Sequence, residues 1–228
     1  MLNCIRNSAL ARAKLEAFKK YLIFTSFARL GVVVLSLVQN NSPLPISPLM
    51  ILLLGLIGDF FALFVISAMK TSFVLKQDFN RTVSQRVSLI SDSCYALGGF
   101  FASFCISVLI VILLSYNLIQ NSNTQVFCMY SLASVQLFAL GAILLSMKSA
   151  VKGLNINYLY VSLMLLWIIT LICQFWLPDD IYVSLTELKI YRLNLTASPF
   201  VIVLGLLSFA FVRCIERLKN SFFKHRAN

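Results

Sequence analysis

Six apolar runs, at roughly 21–39, 48–69, 93–115, 126–147, 158–177 and 198–215, constrain this chain more than any other feature of its sequence. Each is close to the ~20 residues an α-helix needs to cross a hydrocarbon core about 30 Å thick. The segments between them are too short to fold as water-soluble domains. Charged residues make up 12% of the chain, against about 25% in a soluble globular domain, and the mean hydropathy is +0.88. The fold class expected is therefore an all-α integral membrane protein, with a single six-transmembrane-helix bundle lying in the bilayer.

The positive charges give the bundle a direction. Arg6, Arg12, Lys14, Lys19 and Lys20 precede the first run, and Lys70, Lys76, Arg81 and Arg86 follow the second. Lys148 and Lys152 follow the fourth, and Arg213, Arg217, Lys219, Lys224 and Arg226 close the chain. In a six-span arrangement all of these share one side. The other side has only Lys189 and Arg192, beside Asp179, Asp180 and Glu187, and its first two loops, "NNSPLPIS" and "SYNLIQNSNT", are uncharged. The positive-inside rule then makes both termini cytoplasmic. The expected organisation is a basic amphipathic cytoplasmic stalk (1–20), a six-helix transmembrane domain (21–215) and a basic cytoplasmic tail (216–228), in a multi-pass protein of the plasma membrane.

On this reading the net charge of +11 reflects topology and an attraction to anionic lipid, the bilayer being the partner, and calls for no nucleic acid. The first run is longer than the core of a signal peptide and leads into "QNNSPLP" rather than a small-residue cleavage site, so it reads as a retained anchor. The cysteines, at 4, 94, 105, 128, 173 and 214, form no C-x-x-C and read as small apolar residues. His225, the sole histidine, falls in the basic tail and reads as a surface residue.

One residue contradicts its surroundings. Asp59 is the only charge between Leu49 and Met69. A carboxylate near the centre of a span costs about 2.5–3.5 kcal/mol on insertion scales, so it should face the bundle interior and be paired or protonated. Arg29 lies 10 residues before the end of the first run at Gln39, and Asp59 lies 11 residues after the start of the second at Pro48. At 1.5 Å per residue both stand about 15–17 Å from the same membrane face. The spacing predicts a buried Arg29–Asp59 ion pair. Gly55 and Gly58 read either as a close-packing surface or as a locally unwound segment offering its carbonyls to a site.

The order of these features resembles the C-terminal membrane portion, fifth to tenth helices, of cation-transporting P-type ATPases, over nearly the whole chain. "FKKYLIFTSFARLGVVVLSLV" resembles the basic stalk and fifth helix, and "LPISPLMILLLGLIGDFFALFVISAMK" the sixth with its mid-helix Asp. "CYALGGFFASF" is similar to the Gly-Gly start of the seventh and "ASVQLFALGAI" to the eighth. "INYLYVSLMLLWIITLICQFWLP" and "FVIVLGLLSFAFVRCIERLKN" resemble the ninth and tenth. In the calcium-pump branch the resemblance implies Asn and Glu ligands where this chain has Ser26 and Arg29. It implies Asn, Thr and Asp where the chain has Gly55, Gly58 and Asp59, and Glu where it has Gln136.

Only Asp59 keeps a carboxylate. A divalent cation needs several hard oxygen ligands, so no intact calcium site and no resident metal or cofactor is expected; the cavity would carry a proton on Asp59 or nothing. The family's phosphorylated D-K-T-G motif is absent, as are a Gly-rich phosphate loop, H-E-x-x-H and a nucleophile elbow. By itself the chain is not expected to hydrolyse ATP or act as an enzyme.

Two functions fit this reading: a transport-domain half or fragment acting with a partner that carries the remaining P-type ATPase domains, and a stand-alone non-catalytic membrane protein that binds or regulates another membrane protein. An autonomous six-helix channel is less supported, since only Arg29, Asp59, Gln136 and scattered hydroxyls would line its path. In the stalk, Leu10, Ala13, Leu15, Ala17 and Phe18 make an imperfect apolar stripe, suited either to anionic headgroups or to a phosphorylation domain. In a cysteine-free background, single cysteines at 41, 120 and 184 are expected to label from outside, and those at 8, 80 and 221 only after permeabilisation. Reversed accessibility at 41 and 80 would rule out the topology.

Overall fold

The computed structural model describes residues 2–38, 48–69, 85–119, 124–150, 158–173 and 197–225. Among the described residues there are six helices and no strand: α1 (Leu2–Val38), α2 (Pro48–Ala68), α3 (Gln85–Ser115), α4 (Thr124–Ala150), α5 (Tyr158–Cys173) and α6 (Ser198–His225). Asp179, Asp180, Glu187, Lys189 and Arg192, which carry the expected charge asymmetry of one side, lie outside the described residues.

Local chemistry accounts for several boundaries. α2 starts on Pro48, whose fixed φ and missing N–H suit a first helical position, and α6 starts on Ser198–Pro199. α3 ends where Leu118 N–H donates to the Leu113 carbonyl at 2.9 Å and Asn117 N–H to that of Leu114 at 3.0 Å. Asn117 takes the left-handed conformation (φ 53°) that this paired cap requires.

Among the described residues, three helices are long and apolar enough to cross a membrane: Ile90–Ser115, Thr124–Met147 and Ser198–Leu218. Leu54–Ala68 and Tyr160–Ile169 are shorter apolar stretches among the described residues. Of the best window of the α4 stretch 72% is buried, against 39% and 33% for the α3 and α6 stretches, so α4 is the central helix. The outer helices carry exposed apolar side chains, including Leu56, Phe60 and Phe64 on α2, Leu97, Phe101 and Phe104 on α3, and Ile202, Leu206 and Leu207 on α6. Such a surface suits hydrocarbon and not water. Among the described residues the protein is thus all helical, and its three apolar spans mark it as a membrane protein.

Cross-helix contacts fix several relative directions. Lys19 meets Asp92 and the Gly31 backbone meets Ser103, so α1 and α3 run parallel. Arg29 meets Asp59 while Lys14 donates to the Ser67 carbonyl at 2.6 Å, so α1 and α2 run antiparallel. Glu216 against Tyr95, with Phe211 against Gly98, makes α6 antiparallel to α3. Tyr160 on Gly141, with Trp167 on Tyr130, does the same for α5 and α4.

Three features of these helices bear on the sequence reading. The basic segment is continuous with the first span: α1 runs through residue 20 without interruption, Ala13 and Ala17 are buried in the bundle, Leu10 and Phe18 pack against it, and Leu15 of the stripe is exposed. Ala, Leu and Lys all favour helix, so the change from basic to apolar composition gives the backbone no reason to stop. The tail boundary at 216 likewise falls inside α6. And α2 is helical through Gly55 and Gly58, which rules out the unwound segment.

At Gly99, α1 and α3 approach until backbone faces backbone. A Cβ on Gly99 would overlap the Phe24 carbonyl oxygen and stand 3.0 Å from the Ala28 nitrogen. Backbone cannot rotate away as a side chain can, so α1 and α3 would have to separate. Gly99→Val is expected to destabilise the detergent-solubilised protein by about 1–3 kcal/mol, the usual cost of overpacking. A thermal-unfolding midpoint unchanged from wild type would show that the interface yields.

Candidate functional site

Tyr21, Thr25 and Arg29 recur every four residues and so share one face of α1. Opposite them α2 presents Gly55, Gly58 and Asp59, and α4 contributes Gln136. Arg29 Nη2 donates to both carboxylate oxygens of Asp59, at 2.8 and 2.9 Å. It also donates to Thr25 Oγ1 at 3.0 Å, while Nε donates to the Thr25 carbonyl at 3.1 Å. Thr25 Oγ1–H in turn donates to the Tyr21 carbonyl at 3.0 Å. The guanidinium is therefore folded back along its own helix before it reaches across. The side chains of Arg29 and Asp59 are 13% and 27% exposed, so the pair is mostly shielded.

The glycines are what let the three helices meet here. A Cβ on Gly55 would overlap Arg29 Nη1, and one on Gly58 would overlap Gln136 Oε1 and approach Tyr21 Oη to 3.4 Å. The Tyr21 hydroxyl donates to the Gly58 carbonyl at 3.2 Å, tying α1 to α2 beside the ion pair. Gln136 is 4% exposed, and its Nε2 has no hydrogen-bond partner among the described residues. Ser131 and Ser134, also on α4, likewise bury unpaired hydroxyls, the second facing Gly205 of α6.

Five of the six residues singled out from sequence, Arg29, Asp59, Gly55, Gly58 and Gln136, thus meet at one place. Ser26 does not. It is exposed, one residue round the helix from the inward face, and Thr25, fully buried, supplies the hydroxyl instead. Tyr21 and Thr25 were legible in principle, from their four-residue spacing to Arg29.

A second buried cluster went unread. Lys20 Nζ donates to Glu216 Oε1 at 2.8 Å and lies 3.4 Å from Glu16 Oε1. The Tyr95 hydroxyl donates to the same Glu216 oxygen, and Lys20 Nζ stands 5.8 Å from the centroid of the Tyr95 ring. Lys19 pairs with Asp92 alongside. This cluster joins α1, α3 and α6. Its one sequence signal is Glu216, an acid set among the basic residues of "VRCIERLKN".

Chemically the first site is closed on itself. The two Asp59 oxygens already serve a cation, and among the described residues no three of His, Cys, Asp and Glu cluster as metal ligands. A divalent cation would have to displace the guanidinium and find its remaining oxygens on carbonyls and hydroxyls. Comparison with known proteins finds no matching family, no matching curated protein and no matching solved structure.

Asp59→Asn and Arg29→Gln should each lower stability and folded yield, since each strands one charge in a poorly solvated interior. The double variant restores two neutral groups that can hydrogen-bond. A double-mutant cycle on thermal unfolding in detergent is expected to give a coupling of about 0.5–3 kcal/mol. Strictly additive losses would mean that Asp59 is held neutral and that the pair is not what retains it.

Proposed function

We propose that the chain is a six-span membrane bundle, both termini cytoplasmic, corresponding to the C-terminal transport portion of a cation-transporting P-type ATPase in which an internal guanidinium has replaced the transported cation. The observation that carries this reading is the Arg29–Asp59 pair. It lies where α1, α2 and α4 meet, among the positions at which the resemblance implies cation ligands. A permanent positive charge there repels a second cation and holds the one carboxylate that could bind it. The protein then works in the plasma membrane as the membrane-embedded partner of a chain bearing the phosphorylation and nucleotide-binding domains, and hydrolyses no ATP alone.

A second reading is a stand-alone, non-catalytic protein that binds or regulates another membrane protein. The self-neutralised site favours it, because a bundle that carries no cation has no need of a phosphorylation cycle.

Equilibrium dialysis of the purified full chain against radioactive calcium is expected to show no saturable binding, whether or not ATP is present. A stoichiometric, saturable site in the wild type would overturn the closed-site reading. The DNA flanking the reading frame separates the two functions. A neighbouring frame encoding a D-K-T-G domain supports a split pump, and its absence the stand-alone protein.

A further inference from the structure

Among the described residues, the charges at the Lys20 end of the bundle do not balance. Glu16, Asp59, Asp92 and Glu216, the acids among the described side chains, each stand in an ion pair with Lys19, Lys20 or Arg29. Arg213 and Arg217 form no ion pair among the described residues. The carboxylate nearest them in sequence, Glu216, is 7% exposed and turned inward to Lys20 and Tyr95. The two arginines are four residues apart on one face of α6, about 6 Å along its axis.

That face points outward. Leu206, Leu207 and Ala210 are exposed, and the same stripe continues through half-buried Arg213 to exposed Arg217. Inward-facing Leu204, Ser208 and Val212 hold the helix in place, and Phe211 stacks on Phe101 of α3 with ring centroids 5.4 Å apart. So an apolar surface becomes a pair of unneutralised guanidiniums within about three helical turns, at the end of a stretch long and apolar enough to span a membrane. Small, exposed residues, Ala210 and Cys214, flank Arg213 on this side of the helix.

We propose that this face of α6 holds one anionic phospholipid, its phosphate between Arg213 and Arg217 and its acyl chains along Leu206, Leu207 and Ala210. A guanidinium is the side chain best shaped to hold a phosphate through paired N–H donors, and two of them one turn apart can share it. A zwitterionic lipid offers the same phosphate but brings its own ammonium, which the arginines repel. A free phosphate offers the charge without the apolar contact. The site depends on α6 facing lipid and not on the likeness to a pump, so it stands or falls separately from the closed cation site.

The test is native mass spectrometry on the full chain, delipidated in detergent and offered phosphatidylglycerol or phosphatidylcholine at equal concentration. One phosphatidylglycerol should survive activation on the wild type and phosphatidylcholine should not. Because each interfacial Arg contributes about 1 kcal/mol, Arg213→Gln/Arg217→Gln together should weaken retention about thirtyfold. Arg6→Gln/Arg12→Gln removes the same charge from α1 and should leave retention unchanged. The proposal is overturned if both double variants lose lipid equally, if the wild type retains both lipids alike, or if millimolar glycerol phosphate displaces the bound lipid. The comparison of lipids on the wild type decides the question even where a variant fails to fold.

Discussion

Arg29 can lie inside an apolar bundle only because its guanidinium is never without oxygen. Three acceptors, the Thr25 carbonyl, the Thr25 hydroxyl and the Asp59 carboxylate, take it up within 3.1 Å. The rest of the arrangement follows from keeping those acceptors in reach. α2 must pass α1 closely enough for Asp59 to arrive, which requires Gly55 beneath the guanidinium, and Gly58 beside it admits Gln136 of the central helix. A pair of this kind adds little net stability compared with well-packed apolar residues. What it specifies is register. If α2 slid by one turn along α1, both charges would lose their partners, and hydrocarbon provides no substitute.

α1 is accordingly a helix whose faces are each committed to a different neighbour. Tyr21, Thr25 and Arg29 serve α2 and α4, Phe24, Ala28 and Gly31 pack against α3, and Lys20 reaches α6. The committed stretch begins before the apolar run, at Ala13 and Ala17, so burial extends into the basic segment. Force applied to the described start of the helix would act on both polar clusters at once, since no break separates Lys20 from Arg29.

How much of this could be read beforehand depends on how isolated each charge is in sequence. Arg29 and Asp59 each stand alone in an apolar run at matching offsets, and that solitude made the pair legible. Lys20 and Glu216 are 196 residues apart and each is surrounded by other charges, so nothing in the chain singled them out for each other. Gly55 and Gly58 show the opposite difficulty. A glycine records only that space is needed, and the occupants, Arg29 and Gln136, come from other helices. Ser26 stands where the resemblance implies a ligand, but the buried hydroxyl that meets Arg29 belongs to Thr25, one residue earlier around the helix. Helical character and the apolar runs were legible throughout, because hydrocarbon leaves a backbone few ways to satisfy its own hydrogen bonds.

The two polar clusters differ in what they can exchange with their surroundings. At the first, the cation belongs to the chain and cannot leave, so the carboxylate it holds is withdrawn from any transported ion. At the second, Lys20 sits between Glu216 and half-exposed Glu16, and the Tyr95 hydroxyl shares the Glu216 oxygen, so one cation answers two acids at the boundary of the apolar region. Glu216 is thereby denied to Arg213 and Arg217, its neighbours in sequence. The same contact that fastens α1 to α6 leaves two guanidiniums on the outside of α6 with no protein partner among the described residues. The positive end of the bundle is in this sense a consequence of its interior. Acids drawn inward to neutralise buried lysine and arginine leave the surface arginines for whatever anion the surroundings provide.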